Sequence, residues 1–347
     1  MSVTLRPLRG DDPAEVATTH RMLAEARGHD VPDAPPYPLA EFSGRLTHPW
    51  PWARERYAVA LDETGAVVGF LALSLPSNDN LHLAAIELVV DRAHRRHGVG
   101  RLLFDHAREL AAEEGRTTMT GEYVVGRDGG EPRDEAPALF MAAIGVDRAL
   151  PETRRRLDLA DAPDLPAMLA SARAHAAGYT TVTWLGPPPA EYVDDVARLD
   201  GRLLEDAPTG DLKIEPMAVD AERVRAGEEV ARLRGRRTYH TGAIHTASGR
   251  LVAFSSIGMD AEVTTHGWQH ITIVDPPHRG HRLGLLVKLV NLDHTRAHEP
   301  GLAHVNTWNA QENSHMIAVN EAMGFRPVDD WLSWQLDLQP PASTAAA

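Results

Sequence analysis

The sequence predicts an α/β fold in which one unit is built twice in tandem, and three observations carry that prediction. The first is a duplicated loop. Residues 90–103 and 274–287 stand 184 positions apart and share seven of fourteen residues. The shared positions are Val90/Val274, Asp91/Asp275, His94/His278, Arg95/Arg279, His97/His281, Gly100/Gly284 and Leu102/Leu286. The second is a later pair of segments in the same order. Residues 141–146 run on to 156–159, and residues 320–325 run on to 335–338; Gly145 and Gly324 stand 179 apart, so a small indel separates the landmarks. The third is context: each loop follows a strand-type apolar run and leads into a helix-type stripe. A period this long means tandem domains, since solenoid repeats are much shorter.

The length of 347 residues is enough for two domains of about 150 residues, each with its own core. The expected boundaries are an N-terminal domain over 1–160, a linker region and start of the second unit over 161–190, a C-terminal domain over 191–339 and a disordered tail over 340–347. In the first unit a strand over 3–8 precedes Asp12 and Pro13. A carboxylate cap followed by proline at the first helical position starts a helix, here over 14–27. The proline-rich residues 30–38 read as a loop, followed by a short helix over 39–46. Strands over 57–61 and 66–74 are joined by a turn at 62–65, and a third strand covers 82–90. The helix after the loop buries Leu103, Ala107, Leu110 and Ala111 and stops at Gly115. A strand over 117–125, a helix over 137–144 and a strand over 154–159 complete the unit.

The second unit repeats this order from its middle onward. Strands cover 237–246, 251–256 and 268–274, with a turn at 247–249. A helix from residue 283 places Leu286, Leu289, Val290 and Ala297 on one face, and a strand, a helix and a strand follow over 302–308, 314–323 and 331–338. Between the units, Asp161 to Pro163 start a helix, 180–185 read as a strand and 186–189 as a stiff joint.

Composition excludes several function classes. With no cysteine there are no disulfides, thiolate metal sites or cysteine acyl-enzyme. A net charge of −14 argues against nucleic acid as a partner. No apolar run reaches the ~18 residues of a membrane span, and the polar N-terminus makes the cytoplasm the expected compartment.

A glycine-rich, cation-rich turn between strand and helix suits a pyrophosphate, because backbone N–H groups and the positive helix end converge there. The first loop, Arg95-x-x-Gly98-x-Gly100, resembles the Gln/Arg-x-x-Gly-x-Gly/Ala signature of the GNAT superfamily of N-acetyltransferases. Asn313 to Gly324-Phe325 resembles that family's C-terminal motif. The resemblance covers both copies, and the tandem form is distantly similar to mycothiol synthase. It implies two GNAT domains, each a mixed, mostly antiparallel twisted sheet flanked by helices, and acetyl-CoA (coenzyme A) as cofactor. The implied contacts are Leu88, Val89, Val90, Arg95, Arg96, His97, Gly98, Val99, Gly100 and Arg101 in the first unit. Those in the second are Ile273, Val274, Arg279, Gly280, His281, Arg282 and Gly284. Arg282 departs from the pattern: it replaces the first glycine, so its side chain must turn away from a phosphate.

The resemblance also implies direct attack of an amine on the thioester, assisted by a general base. Glu87, three residues before the loop, is the best candidate base, and Glu122 on the next strand is the alternative. By the constant offset, Ile271 replaces Glu87 in the second unit, leaving His270 or Glu312 there. The tyrosine that commonly protonates the leaving thiolate in the family is absent, with Met141 and Asn320 at its positions; Tyr123 and Tyr239 are substitutes. Trp268, His270, Trp308, Asn309 and Asn320 form an expected substrate rim, while Asn313 reads as a helix cap. The histidine pairs His94/His97 and His278/His281 lack carboxylate or cysteine companions, so no metal is expected. The expected function is acetyl transfer to a primary amine of a small molecule by a monomer or homodimer. The alternatives are a non-catalytic acyl-CoA sensor or transfer of a longer acyl group.

Overall fold

The computed structural model describes residues 2–146 and 148–338, so the expected tail at 340–347 lies outside the described residues. The first half runs β1 (Thr4–Pro7), α1 (Pro13–Asp30), α2 (Leu39–Thr47), β2 (Ala53–Leu61), β3 (Val67–Pro76), β4 (Leu83–Val90), α3 (Val99–Glu113), β5 (Thr118–Val125), α4 (Ala136–Ile144) and β6 (Arg148–Asp158). It continues with α5 (Leu165–His175), β7 (Tyr179–Leu185), α6 (Val193–Gly201), α7 (Leu203–Asp206), α8 (Ala221–Leu233), β8 (Arg237–His245) and β9 (Leu251–Met259). Then come β10 (His266–Val274), α9 (Leu283–His298), β11 (His304–Ala310), α10 (Ser314–Ala322) and β12 (Arg326–Asp337). Local chemistry explains the ends. Asp12 caps α1 by accepting from the Ala14 and Glu15 amides, with Pro13 in the first turn. Asp62 closes the β2–β3 turn by accepting from the Thr64 and Ala66 amides.

Two compact units form, and they are not the contiguous halves expected from the sequence. Unit 1 takes the described residues up to Glu152, Gly210–Glu215 and those from Asp329 onward; unit 2 takes Thr153–Thr209 and Pro216–Val328. In unit 1 the strand order is β1-β2-β3-β4-β5-β12, and in unit 2 it is β6-β11-β10-β9-β8-β7. Each sheet is therefore completed beside its fifth repeat strand by the last strand of the other half. β12 pairs antiparallel with β5 from Asp330↔Val125 to Asp337↔Thr118. The duplication explains why sequence misses this: the two closing strands carry the same Leu-Asp-Leu ending (157–159 and 336–338) and suit either sheet. The expected linker over 161–190 is also part of unit 2. Leu165, Leu169 and Ala172 of α5 and Trp184 of β7 are buried in its cores.

β4 meets β5 and β10 meets β11 in parallel, whereas β1 to β4, β7 to β10 and the β5–β12 pair run antiparallel. In unit 1, α3 lays Val99, Leu103, Phe104, Ala107 and Ala111 against Leu71, Leu73, Met119 and Trp334. On the other face α1 and α2 pack Val16, Met22, Leu23 and Phe42 on Val59, Phe70 and Ala72. In unit 2, α9 buries Leu286, Leu289 and Val290 as expected, but Ala297 is exposed and Thr295 is buried in the last turn.

Candidate active site

The parallel pair β4–β5 is hydrogen-bonded only over Leu83↔Thr118, Ala84↔Met119 and Ala85↔Thr120. Beyond these the strands part, leaving the β5-facing edge of Glu87, Leu88, Val89 and Val90 without a strand, while the other edge stays paired with β3. Glu87 and Glu122 each lie two residues past the last pair. Side chains alternate along a strand, so both emerge on the same sheet face, one on each lip of the opening. That face is the one α1 and α2 cover.

The two carboxylates differ in state. Glu87 receives a hydrogen bond of 2.5 Å from Arg27 Nη2 of α1 and a second, charge-assisted one from Arg45 Nη1 of α2. Burial works to raise its pKa, but the two guanidiniums outweigh that and hold it down at about 2. Each of its oxygens already accepts a charge-assisted bond and its basicity is low, which argues against Glu87 as the base. Glu122 has no ion-pair or hydrogen-bond partner among the described residues. Its side chain is open to solvent, yet the lips crowd it: burial, then the nearby Glu152 and Glu87, push its pKa up to about 7. A carboxylate that is accessible, unpaired and half-ionised near neutrality suits a general base.

At the end of β4 the loop presents the N-terminus of α3. Gly98 is the cap residue, in the left-handed region at φ 88°, and supplies no side-chain cap, so the first-turn N–H groups of Val99, Gly100 and Arg101 face outward. A Cβ on Gly98 would meet no atom within 4 Å, which leaves room for a phosphate. The second loop has the same backbone. Arg96 and Gly98 lie at φ 67° and 88°, and Gly280 and Arg282 at 88° and 55°, so glycine has changed places while both left-handed positions persist. The Arg282 side chain turns to Ser171 Oγ of α5 at 3.1 Å. These loops fit a pyrophosphate by backbone geometry.

The acetyltransferase (GNAT) family model matches residues 23–123. A tandem GNAT protein from the clavulanic acid biosynthesis pathway, solved without AcCoA, is 34% identical; the match covers 98% of this chain and 100% of that one, with a TM-score of 0.83. This chain belongs to the GNAT family. Two further tandem-length matches show the fold alone. A GCN5-related N-acetyltransferase from Sphaerobacter thermophilus is 14% identical over 99% of this chain and 98% of that one, TM-score 0.63. The N-myristoyltransferase of Saccharomyces cerevisiae with myristoyl-CoA is 13% identical over 97% and 80%, TM-score 0.58. Comparison with curated proteins gives no match.

Within this tandem GNAT enzyme several expected contacts have other work. Arg95 does not reach out for a phosphate: its Nη atoms bond both oxygens of Asp30 at 2.9 and 2.8 Å, Nη1 lies 3.1 Å from Asp134, and Nε bonds the Val90 carbonyl. Arg279 repeats the strand cap on the Val274 carbonyl and pairs with Asp206 at 2.9 Å. Arg95 also contacts two members of the cluster of His29, Asp30 and Asp134, whose ligand atoms converge, and supplies positive charge beside it. Arg101 bonds the Ala143 carbonyl, and His97 Nδ1 the Arg95 carbonyl. Arg96 is exposed and has no partner among the described residues. Gly100 lets the Phe140 ring pack closely, since a Cβ there would stand a tight 3.3 Å from it. Val99 and Ile273 are buried in the cores, so only their backbone is available. Gly284 lies against Val274 at the matching position, and His281 packs its ring on Tyr179.

Unit 2 has the same opening with other residues. β10 and β11 pair over His266↔His304, Gly267↔Val305 and Trp268↔Asn306 and then part. Two residues past the last pair stand His270 and Trp308. Counted from matching pairs, Trp308 takes the place of Glu122. An irregularity between Gln269 and Thr272 makes β10 bulge by one residue, so His270 and Ile271 together occupy the Glu87 position, not Ile271 alone. Trp308 stacks on Trp268 with centroids 5.6 Å apart, and Trp268 Nε1 donates to Asp260 at 2.8 Å. Although His270 keeps an exposed surface, desolvation by the crowded surroundings, then Arg236, lowers its pKa to about 4, which favours the neutral ring. Asn309 and Asn320 do not reach a rim: both are buried, and the Asn320 amide donates to Asn309 Oδ1 at 2.7 Å. Tyr239 is likewise internal. Burial and its bond to Glu299 push its pKa up to about 12, so it is no proton donor to a thiolate.

Sequence reasoning missed Arg27, Tyr37, Arg45 and Glu152. No spacing announces them, because Arg27 and Arg45 meet Glu87 from 60 and 42 residues away. A cavity of about 620 Å3 lined by His82, Thr117, Lys213, Glu215 and Leu338 lies at the paired end of β4 and β5, away from the opening, and holds a Lys213–Asp337 ion pair.

Proposed function

We propose that unit 1 transfers an acetyl group from acetyl-CoA to a primary amine of a small molecule, with Glu122 as the general base. The observation that carries this is Glu122 itself, solvent-accessible, unpaired and with a pKa near 7 on one lip of the β4–β5 opening. The α3 N-terminus would hold the pyrophosphate through its outward N–H groups, and the free edge of β4 would donate to the thioester carbonyl. Glu122 takes the proton from the substrate ammonium, directly or through one water. The neutral amine then attacks the carbonyl carbon, the nitrogen gives its extra proton to solvent, the C–S bond breaks and the thiolate departs. Solvent supplies its proton, since Met141 stands where the family commonly has tyrosine. Unit 2 has an indole at the base position and serves as the non-catalytic copy. None of the described helices is long and apolar enough to cross a membrane, and we place the enzyme in the cytoplasm.

The test is thiol release from acetyl-CoA with a panel of amines. E122Q should lower kcat/KM by about 10²–10⁴. In the wild type kcat/KM should climb with pH and level off above about 7, because only ionised Glu122 accepts the proton. A wild-type rate for E122Q across pH 6–9 would move the chemistry to another group.

A further inference from the structure

The lip opposite Glu122 carries a feature that deprotonation of an amine does not require. Glu87 has one negative charge, and two guanidiniums share it: Arg27 through Oε1 and Arg45 through Oε2. The same sharing occurs at the end of α3, where Arg54 and Arg56 divide Glu114, but two arginines of unit 1 are each matched by two carboxylates. Arg95 holds Asp30 and Asp134, and Arg133 holds Asp33 and Asp329. Arg45 has Glu55 at 4.0 Å as a second carboxylate. Arg27 has only the one oxygen of Glu87 among the described residues, which leaves the rest of its five donors without a protein acceptor. Its side chain is 38% exposed, so those donors are reachable.

Arg27 is also held still. Its guanidinium lies over the Tyr37 ring at 3.9 Å, and the Glu87 bond fixes it within its plane. A planar, pre-oriented fork binds a carboxylate by two parallel hydrogen bonds, which a freely solvated arginine does at greater entropic cost. Glu87 projects on the same sheet face as Glu122, and Arg27 reaches it from α1 above that face. An anion-binding fork and a proton acceptor thus flank one opening.

We propose that the acceptor is an amine that carries a carboxylate, with Arg27 holding the carboxylate while the amine faces Glu122. Glu87 is then a positioning residue that sets the Arg27 fork. This rests on the proposed acetyl transfer in unit 1 and narrows its substrate from amines in general to amino-acid-like compounds.

The experiment compares the twenty amino acids with their primary amides as acceptors, and adds phosphoethanolamine as an amine bearing a different anion. In parallel, N-acetyl amino acids and their amides are titrated by calorimetry into the full-length protein with coenzyme A present. At least one amino acid should be turned over more than ten-fold faster in kcat/KM than its amide, and the matching N-acetyl product should bind more than ten-fold more tightly than its amide. In R27Q both ratios should collapse towards one, with the loss mainly in KM; R27K, which keeps charge but not the fork, should fall between. Equal use of acids and amides by the wild type, undiminished discrimination in R27Q, or preference for phosphoethanolamine would overturn the proposal. If turnover is absent while calorimetry still separates acid from amide in an Arg27-dependent way, the transfer reading fails and the carboxylate site stands. Should R27Q fail to fold, the wild-type ratios and R27K decide.

Discussion

Unit 1 and unit 2 open their sheets in the same way and fill the openings with opposite chemistry. Unit 1 places Glu122 two residues past the last β5 pair, and unit 2 places Trp308 at that position, stacked on Trp268. A carboxylate can take a proton and an indole cannot. The loops differ less than their sequences suggest, since both adopt two left-handed residues in the same places. Duplication has kept the backbone geometry that depends on φ and lost the side-chain chemistry that depends on one residue. Fold and loop therefore persist in a copy that carries tryptophan where unit 1 carries Glu122.

The largest expected effect tests that contrast directly. E122Q should lose about 10²–10⁴ in kcat/KM and its climb with pH, whereas W308F should leave transfer close to wild type. Loss of activity only in the W308F enzyme would reverse the assignment of the catalytic unit. E87Q should weaken activity through the Arg27 and Arg45 positions, yet retain the rise through pH 7 that belongs to Glu122.

Stability distinguishes the two loop arginines next. Arg95 is 15% exposed and bound to two aspartates, while Arg279 is 53% exposed with one. Chemical denaturation should show R95Q less stable by about 3–5 kcal/mol, the cost of breaking a largely buried pair. R279Q should change stability by about 0–1 kcal/mol. Equal effects would mean that both arginines are solvated alike.

Lys288 sharpens the comparison at the cores. It aligns with Phe104 at the loop offset and is 1% exposed beside the Phe325 ring at 5.2 Å. Burial lowers its pKa to about 7 from 10.5. The unfolded chain keeps the proton between about 7 and 10.5 while the folded protein has lost it, so this group makes stability rise with pH across that window. Below about 7 both states are charged and the full cost is present. K288M should therefore stabilise the protein at pH 7 by roughly 1–4 kcal/mol, with the gain shrinking towards pH 10. A gain independent of pH would indicate packing alone.

The smallest expected effects belong to the loop caps. G98R should weaken coenzyme A binding about ten-fold or more in calorimetry, since its side chain can enter the phosphate space. R282G should change binding little, because the Arg282 side chain already points to Ser171. A strong gain in affinity from R282G would show that the arginine obstructs its loop.

Much of this was legible in the chain. The repeated loop, the strand–loop–helix order and the cap at Asp12 follow from local rules that neighbouring residues satisfy among themselves. Glu122 was readable only as the alternative to Glu87, which its place just before the loop favoured. Choosing between Glu87 and Glu122 requires knowing that Arg27 and Arg45 arrive at one and not at the other. Arg95 looked like a phosphate ligand because the motif places a cation there, while its partners Asp30 and Asp134 come from elsewhere in the chain. The β10 bulge shifts a register that sequence offset treats as constant.

By itself, then, the sequence determined the tandem α/β units, the two phosphate-type loops and the absence of cysteine chemistry, since periodicity, glycine placement and composition act over short stretches of chain. Tertiary structure alone decided which closing strand completes which sheet, which carboxylate remains free and which arginine keeps open donors. These are outcomes of competition among distant groups: β6 and β12 offer similar edges, and a charge is neutralised by whichever partner the fold brings within a few ångströms.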